Sequence, residues 1–310
     1  MSFRQLKLSI IFMVLLLTAT ACSQTEKQAV PLAKAVSAAD TEEIVFKGEE
    51  ETFKLAVASI LSIRETHRMY NKFAKYLEEE IGRPVEIVQK HTYSEIKKAF
   101  QRGEIDAGIV CAYLAVIGND SGIFKSIAMP IRNGEQVFTS YTIVRKDSDF
   151  ESLADLESHS FALSDPLSYS GFLVPKYEIS KAGYRLNKFF SNTFFTYSHD
   201  NTIFAVANGL VDGGATHSDI YHQLERDNNP FIDKVKIIEE GPYVGNSPFV
   251  VSPNLDKELE SKIIDVVLSM HLEEKGQWAL RRLNIDNFVD PNQKLYEPIK
   301  EMLVELGEFQ

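Results

Sequence analysis

FALSDPLSYSGFLVP, residues 161–175, is an apolar run that passes through a polar turn into an apolar helical pattern. The first residues have the character of a buried strand, and Ser168 and Ser170 lie where the helix would open. A helix start carries unpaired N–H groups and a partial positive charge, so hydroxyl groups beside it can hold an oxyanion without a lysine. Serine is also a common helix cap, and spacing alone leaves both interpretations open.

A second junction of the same kind is TYSHD, residues 196–200. Here an apolar strand pattern again meets a helix start, and His199 stands at the junction. A histidine in this position can donate a hydrogen bond to an anion, or it can be an ordinary capping or loop residue. Two such junctions favour an anion site built from oriented dipoles and hydroxyls.

Strand and helix patterns alternate on both sides of these junctions. Strand-like runs cover 53–58, 84–88 and 106–110, with helical spacing of apolar residues between them. The rhythm repeats after a β-rich run at 138–144, and a further strand near 247–251 could lead back to the first unit. The pattern predicts an α/β chain with two units, each a mostly parallel sheet flanked by helices.

The N-terminus has the features of a secretory signal. Arg4 and Lys7 precede an apolar run at 8–17, which is short for a membrane span, and small residues then lead to Cys22. This arrangement is similar to the bacterial lipobox, with Ala19 where that motif prefers leucine. The similarity implies cleavage before Cys22 and a lipid on its sulfur. The alternative is an ordinary signal peptide followed by an unrelated cysteine.

Charge and cysteine content restrict the function further. The net charge is −11, and removal of residues 1–21 takes away two cationic residues and no acid, which brings it to −13. An acidic surface argues against nucleic acid as a partner. The second cysteine, Cys111, lies in an apolar strand-like run and is expected to be a buried structural thiol without a disulfide partner.

Five segments together resemble one protein family. They are YNKFAKYLEEEIGRPVEI (70–87), YSEIKKAFQRGEIDAGIVCAY (93–113), YTIVRKDSDFESLADLESHSFAL (141–163), DPLSYSGFLVP (165–175) and YSHDNTIFAVANGLVDGGAT (197–216). In this order they resemble the phosphate/phosphite/phosphonate-binding proteins of ABC importers. The resemblance covers about residues 53–255 and implies a two-lobed, type II-like periplasmic-binding-protein fold with lobes joined by β hinge strands.

The resemblance also implies ligand-binding residues. Ser168, Tyr169, Ser170 and His199 match a cage for a tetrahedral anion, although Tyr169 stands where the family has threonine, so only its backbone N–H carries over. Tyr113 matches a pocket tyrosine of the first lobe. Asp219 lies near a family acid that pairs with a ligand amine, and it could equally be a solvated acid at a helix start.

Residue ranges follow from the same comparison. We expect a signal peptide at 1–21, a lipidated Cys22 with a flexible tether at 22–51, a first lobe at 52–138 plus 252–310, and a second lobe with the hinge strands at 139–251. The expected protein is an extracytoplasmic lipoprotein, anchored to the membrane, that delivers a small phosphorus oxyanion to an ABC permease and ATPase. No cofactor and no metal are implied.

The sequence also bears on three alternative functions. A hydrolase is conceivable because serine, histidine and aspartate are all present, but the chain has no Gly-x-Ser-x-Gly motif, His-Glu-x-x-His motif or phosphate-binding Walker loop. The sequence therefore predicts that the protein is not an enzyme. A sensor that reports ligand occupancy to a signalling partner, and the same fold binding a sulfonate or another small anion, are the remaining alternatives.

Overall fold

A computed structural model describes residues 51–57 and 63–309. The predicted signal peptide, Cys22 and nearly all of the predicted tether lie outside these residues. Within the part of the chain that is described, no helix combines the length and the apolar character needed to cross a membrane.

The first sheet contains six strands. They are β1 (Phe53–Val57), β2 (Val85–Gln89), β3 (Ala107–Ile109), β4 (Lys125–Ile131), β12 (Phe249–Val251) and β13 (Asn287–Val289). Their order across the sheet is β13–β4–β12–β3–β1–β2, and β1 pairs in parallel with both β2 and β3. The predicted βαβαβ rhythm of the first unit is therefore present. Strand β12, which the expected boundary at residue 251 assigns to the second lobe, is hydrogen-bonded between β3 and β4.

The second sheet contains five strands. They are β6 (Ser140–Arg145), β7 (Ser160–Leu163), β8 (Asn192–Phe195), β9 (Gly213–His217) and β10 (Val235–Glu240). The order is β10–β6–β9–β7–β8, with β7 parallel to β8 and β9. The carboxyl ends of β7, β8 and β9 therefore lie at one edge of the sheet, where ligands bind in open α/β sheets.

Two short strands connect the sheets. Strand β5 (Val137–Phe138) leaves the first sheet, and β11 (Val244–Gly245) returns from the second. The two strands pair with each other in antiparallel fashion, Phe138 opposite Val244. The β-rich run expected at 138–144 is interrupted at Thr139, which lies between the end of β5 and the start of β6. The hydroxyl of Thr139 donates to the carbonyl oxygen of Gly241 at 2.5 Å.

Ten α-helices surround the sheets. They are α1 (Ile63–Ile81), α2 (Tyr93–Gln101), α3 (Ala112–Asp120), α4 (Val174–Lys181), α5 (Leu186–Phe189), α6 (His199–Ala207), α7 (Ser218–Arg226), α8 (Lys257–Ser269), α9 (Glu274–Arg282) and α10 (Glu297–Glu305), counted over the described residues. Short 3₁₀ turns lie at Leu153–Leu156, Ile232–Lys234, Met270–Leu272 and Gln293–Tyr296, and a π-helical turn lies at Tyr169–Leu173. The helix expected from about Gly171 thus begins as a π turn, and Pro175 occupies the first turn of α4, where a missing N–H costs nothing.

Apolar side chains fill both faces of each sheet. On one face of the first sheet, Phe73 packs against Phe249 and Phe288 with ring centroids 6.0 and 6.2 Å away. The cluster on its other face includes Tyr169 and Leu173, which follow a strand of the second sheet. The polar turn that follows β7 is therefore anchored in the core of the first lobe.

Candidate functional site

The turn after β7 is held by its own side chains. Ser168 caps the π turn, and its Oγ accepts a hydrogen bond from the backbone N–H of Gly171 at 3.0 Å. A Cβ atom at Gly171 would lie 2.4 Å from the side chain of Ser164, so only glycine fits this close approach. Capping by Ser168 is thus real, and it fixes the position of the neighbouring Ser170.

The turn after β8 places His199 against the first turn. Its ring is fully buried, with Nδ1 3.0 Å from the Oγ of Ser164 and Nε2 3.5 Å from the Oγ of Ser168. Because β7 and β8 are parallel neighbours, their following turns meet at the same sheet edge. The structure therefore brings Ser168, Ser170 and His199 into one turn region.

Two buried hydroxyl groups in these turns lack a hydrogen-bond partner. They are the Oγ atoms of Ser170 and Ser198, for which the described residues provide no donor or acceptor. Both serines are almost completely excluded from solvent. An unsatisfied buried hydroxyl is costly, and native proteins keep few of them, so two at one sheet edge indicate groups kept for a ligand. Ser198 was not singled out from the sequence, although it precedes His199.

His199 is neutral in the free protein. Burial lowers the pKa of its ring well below the usual value, and the neighbouring His217 lowers it further. A neutral imidazole has a single N–H. The hydroxyl of Ser164 also lies 3.2 Å from the carbonyl oxygen of Ala215. If that hydroxyl turns instead to Nδ1, the ring proton moves to Nε2, from which it can donate to an anion beside Ser168.

His217 belongs to the candidate site by its position, and the sequence analysis did not predict it. It ends β9, stacks on Phe138 with ring centroids 3.9 Å away and planes 5° apart, and lies 5.5 Å from the ring of His199. Its Nδ1 accepts from the backbone N–H of Asp219, which leaves Nε2–H as the donor of the neutral ring. Burial, and then the charge of Arg132, lower the pKa of His217 to about 3.

An inner cavity of about 40 Å³ adjoins His217. Besides apolar groups it is lined by polar side chains from both lobes: Thr66, Tyr70, Arg132, His217, Asp219, Gln223, Asn246, Ser247 and Asn284. The Oδ2 of Asp219, the Oδ1 of Asn246 and the Oγ of Ser247 are buried and have no hydrogen-bond partner within the described chain. The cavity therefore offers two acceptors and a hydroxyl to a polar group.

Asp219 is partly neutralised by a cation from the first lobe. The Nε of Arg132 lies 3.8 Å from its Oδ2, and both side chains are largely buried. Burial raises the pKa of Asp219, while Arg132, followed by His222 and Arg226, counteracts this shift. Arg132 also donates to the carbonyl oxygen of Asn284 at 3.1 Å. No local sequence pattern indicates a site role for Arg132, because it follows β4 of the other lobe.

The two expected tyrosines lie in apolar surroundings. The Tyr169 hydroxyl donates to the carbonyl oxygen of Pro242 at 2.6 Å, and its ring packs edge-on against Phe138. Tyr113 lies in the first turn of α3 within the apolar core, and burial, Glu308 and Cys111 raise its pKa to about 12. Tyr113 does not line the inner cavity. A role for either tyrosine in ligand binding stays a prediction.

Contacts across the lobes hold the site turn in place. The backbone N–H of Tyr93 donates to the Oδ2 of Asp165 at 3.1 Å, and the thiol of Cys111 donates to the carbonyl oxygen of Leu167 at 2.9 Å. Cys111 is buried and free, as expected for a structural thiol. Burial raises its pKa to about 12, opposed chiefly by the N–H of Leu114, so it is a protonated donor.

The sequence of the chain is similar to those of known proteins. Residues 55–296 match a family model described as "ABC transporter, phosphonate, periplasmic substrate-binding protein". The phosphonates-binding periplasmic protein of Escherichia coli K12 is 24% identical over 261 residues, which cover 82% of this chain and 76% of that protein.

Solved structures agree with the fold. A binding-protein component of an ABC phosphonate transporter from Pseudomonas aeruginosa superposes with a TM-score of 0.77 at 24% identity, covering 83% of this chain and 86% of the other. A Prochlorococcus marinus protein in complex with methylphosphonate gives 0.75 at 21% identity, covering 83% and 99%. The two-lobed α/β fold expected from the sequence is confirmed.

Proposed function

The chain belongs to the family of periplasmic substrate-binding proteins of phosphonate ABC transporters, and on this premise we propose that the turns around Ser168, Ser170 and His199 hold the phosphorus group of its ligand. The ligand is a phosphonate, phosphite or phosphate. Membership in this family of binding components agrees with the expectation that the protein is not an enzyme, and it makes an ABC permease and ATPase its partners.

The observation that carries the proposal is the pair of unpartnered hydroxyls beside His199. A tetrahedral oxyanion has several acceptor oxygens and no obligatory donor, which complements the free hydrogens of Ser170 and Ser198. The imidazole adds a donor when its proton lies on Nε2. The N-terminal turn of α6 contributes a favourable partial positive charge. Such a cage needs no bulk positive charge, in keeping with the acidic chain.

The inner cavity would receive what is attached to phosphorus. Asp219 lines this cavity, and its Oδ2 accepts no hydrogen bond within the described chain, so an amine on the ligand can donate to it. An aminoalkylphosphonate is therefore proposed to bind more tightly than a simple alkylphosphonate. Arg132 shares Asp219 with that amine, which reduces the preference but also spares the free protein an unbalanced buried acid.

Location and attachment extend the proposal to the N-terminus. The family places the protein outside the cytoplasm. We propose in addition that cleavage before Cys22 leaves a lipid on its sulfur and that residues 22–51 tether the binding domain to the membrane. The support is the sequence of small residues ending at Cys22.

Calorimetric titration of the purified, ligand-free protein tests the function. Methylphosphonate, an aminoalkylphosphonate, phosphite and phosphate are compared with sulfate and methanesulfonate. We expect at least one phosphorus oxyanion to bind, and to bind at least tenfold more tightly than either sulfur oxyanion. Binding of a sulfonate alone would contradict the proposal and support the sulfonate alternative.

A further inference from the structure

A second, larger cleft opens beyond the inner cavity. Its volume is about 720 Å³, within the range of sites that hold ligands of drug size. Met69, Gln223 and Asn284 line both this outer cleft and the inner cavity, so the two spaces adjoin. Met69 and Asn284 belong to the first lobe and Gln223 to the second. The outer cleft is therefore the continuation of the binding site toward solvent.

Cations outnumber acids along the outer cleft. Its charged lining residues are Arg68, Arg226, Arg281, Arg282, Asp200 and Asp227. Arg226, Arg281 and Arg282 are exposed, and within the described chain none of these three lies within 4 Å of a carboxylate oxygen. An excess of cations in one cleft is unexpected in a chain with a net charge of −11.

Helix dipoles explain part of this charge. Arg226 lies in the last turn of α7, and Arg281 and Arg282 lie in the last turn of α9, where cations are favoured by the partial negative charge of the helix end. That partial charge is about half an elementary charge for each helix, so it leaves the cleft positive. It also does not explain why helices of two different lobes bring their basic ends into the same cleft.

One face of helix α7 lines both the inner cavity and the outer cleft. Asp219, Gln223 and Arg226 are spaced i, i+4 and i+7, which places them on one face of the helix. Asp219 lines the inner cavity, Gln223 lines both spaces, and Arg226 lines the outer cleft. At a rise of about 1.5 Å per residue, Arg226 lies roughly 10 Å along the axis from Asp219.

We propose that the outer cleft is a subsite for a second anionic group on the ligand. This inference rests on the proposed function of the inner turns. The preferred ligand class is then an organophosphorus compound whose phosphorus group enters the cage and whose substituent passes Asp219 and ends in the outer cleft in a carboxylate or another phosphate, where Arg226 lies about 10 Å along α7 from Asp219. Arg226 of the second lobe and Arg281 and Arg282 of the first bind that terminal group from opposite sides of the cleft.

A pair of ligands that differ only in the terminal group tests the subsite. Octylphosphonate and 8-phosphonooctanoate share a chain of about 10 Å, at roughly 1.2 Å per bond for an extended chain. Affinities are measured by calorimetry at low salt for the wild type and for the triple variant Arg226→Gln, Arg281→Gln, Arg282→Gln. The control variant Arg185→Gln, Lys188→Gln, Lys294→Gln removes the same charge from exposed residues that do not line the cleft.

We expect the cleft variant to lose at least tenfold in affinity for 8-phosphonooctanoate and less than twofold for octylphosphonate, with the control variant below twofold for both. Equal losses for the two ligands, or equal losses in the two variants, would overturn the subsite and indicate a general field effect. A wild type that binds methylphosphonate but neither long ligand overturns this inference alone. A wild type that binds no phosphorus oxyanion overturns the proposed function as well.

Discussion

Arg132 of the first lobe and Asp219 of the second form an ion pair in the wall of the inner cavity, with Nε 3.8 Å from Oδ2. In the proposed complex, the pair places one positive and one negative group beside the substituent of the ligand. Ligand selectivity therefore depends on the net charge that this pair presents to the ligand. Removing the charge of Asp219 makes the cavity wall more positive, and removing the charge of Arg132 makes it more negative.

Replacement of Asp219 by asparagine tests the amine preference. The change removes the negative charge and leaves Arg132 unbalanced, so we expect about tenfold weaker binding of an aminoalkylphosphonate, the cost of a hydrogen bond to a charged group. A simple alkylphosphonate should bind equally well or better. Both ligands are titrated on both proteins, which forms a double-mutant-style cycle.

The control for this cycle is Asp233→Asn, which removes the same charge from an exposed acid outside the inner cavity. Should both ligands weaken by the same factor in Asp219→Asn, the carboxylate contributes to structure or to the overall field and not to amine recognition.

The cage is tested by Ser170→Ala and His199→Ala. Loss of one donor to a charged acceptor costs about 1.5–3 kcal/mol, or at least about tenfold in affinity. Because the Ser170 hydroxyl is buried and has no partner in the free protein, its removal should leave the melting temperature of the free protein unchanged or raise it. This combination of lost affinity and retained stability distinguishes a ligand-binding serine from a structural one.

Ser180→Ala is the matched control for the serine, because Ser180 is exposed in the following helix. Calorimetry and thermal unfolding are run on all variants with the best ligand of the screen. Unchanged affinity in both Ser170→Ala and His199→Ala would show that the phosphorus group does not bind at these two turns.

Acid sensitivity follows from the two buried histidines. The pKa values of His199 and His217 are lowered in the folded protein, that of His217 to about 3, so the unfolded chain binds more protons below about pH 6.5. Their contribution to stability is fully present above that pH and is lost as the pH falls from about 6.5 toward 3. The expected slope is about 1.4 kcal/mol per pH unit for each histidine.

Urea unfolding of the wild type and of His217→Asn between pH 7 and pH 4 measures this effect. The variant should be less stable at pH 7, because it loses the stack on Phe138, but its free energy of unfolding should depend less steeply on pH by about 1.4 kcal/mol per unit. Identical slopes in the two proteins would mean that His217 is protonated in the folded state.

Membrane attachment is tested at the N-terminus. The wild type should be processed to a mature chain that begins at Cys22 and partitions into detergent, and Cys22→Ser should prevent both. Mass spectrometry of the mature N-terminus and detergent partitioning are the measurements. A wild-type chain cleaved elsewhere and found in the aqueous phase would show an ordinary signal peptide.

Local patterns predict much of the candidate site. Ser168, Ser170 and His199 are candidates because each lies where an apolar strand meets a helix start, a signal contained in a few consecutive residues. Their meeting depends on β7 and β8 being parallel neighbours. His217 could not be predicted as part of the site, because its strand lies beside β7 only through the strand order of the sheet, which no local pattern specifies. Arg132 could not be predicted either, because its partner Asp219 belongs to the other lobe.

The paired strands β5 and β11 have a mechanical consequence. Since the two crossings between the sheets are hydrogen-bonded to each other, Phe138 opposite Val244, neither can bend without the other. Any rotation that separates the sheets thus turns about one shared axis, and hinges of this kind absorb motion in a few residues. One donor and one acceptor dye attached to opposite rims of the outer cleft would then report the complete movement, so the protein could be converted into a fluorescent sensor with a single labelled pair.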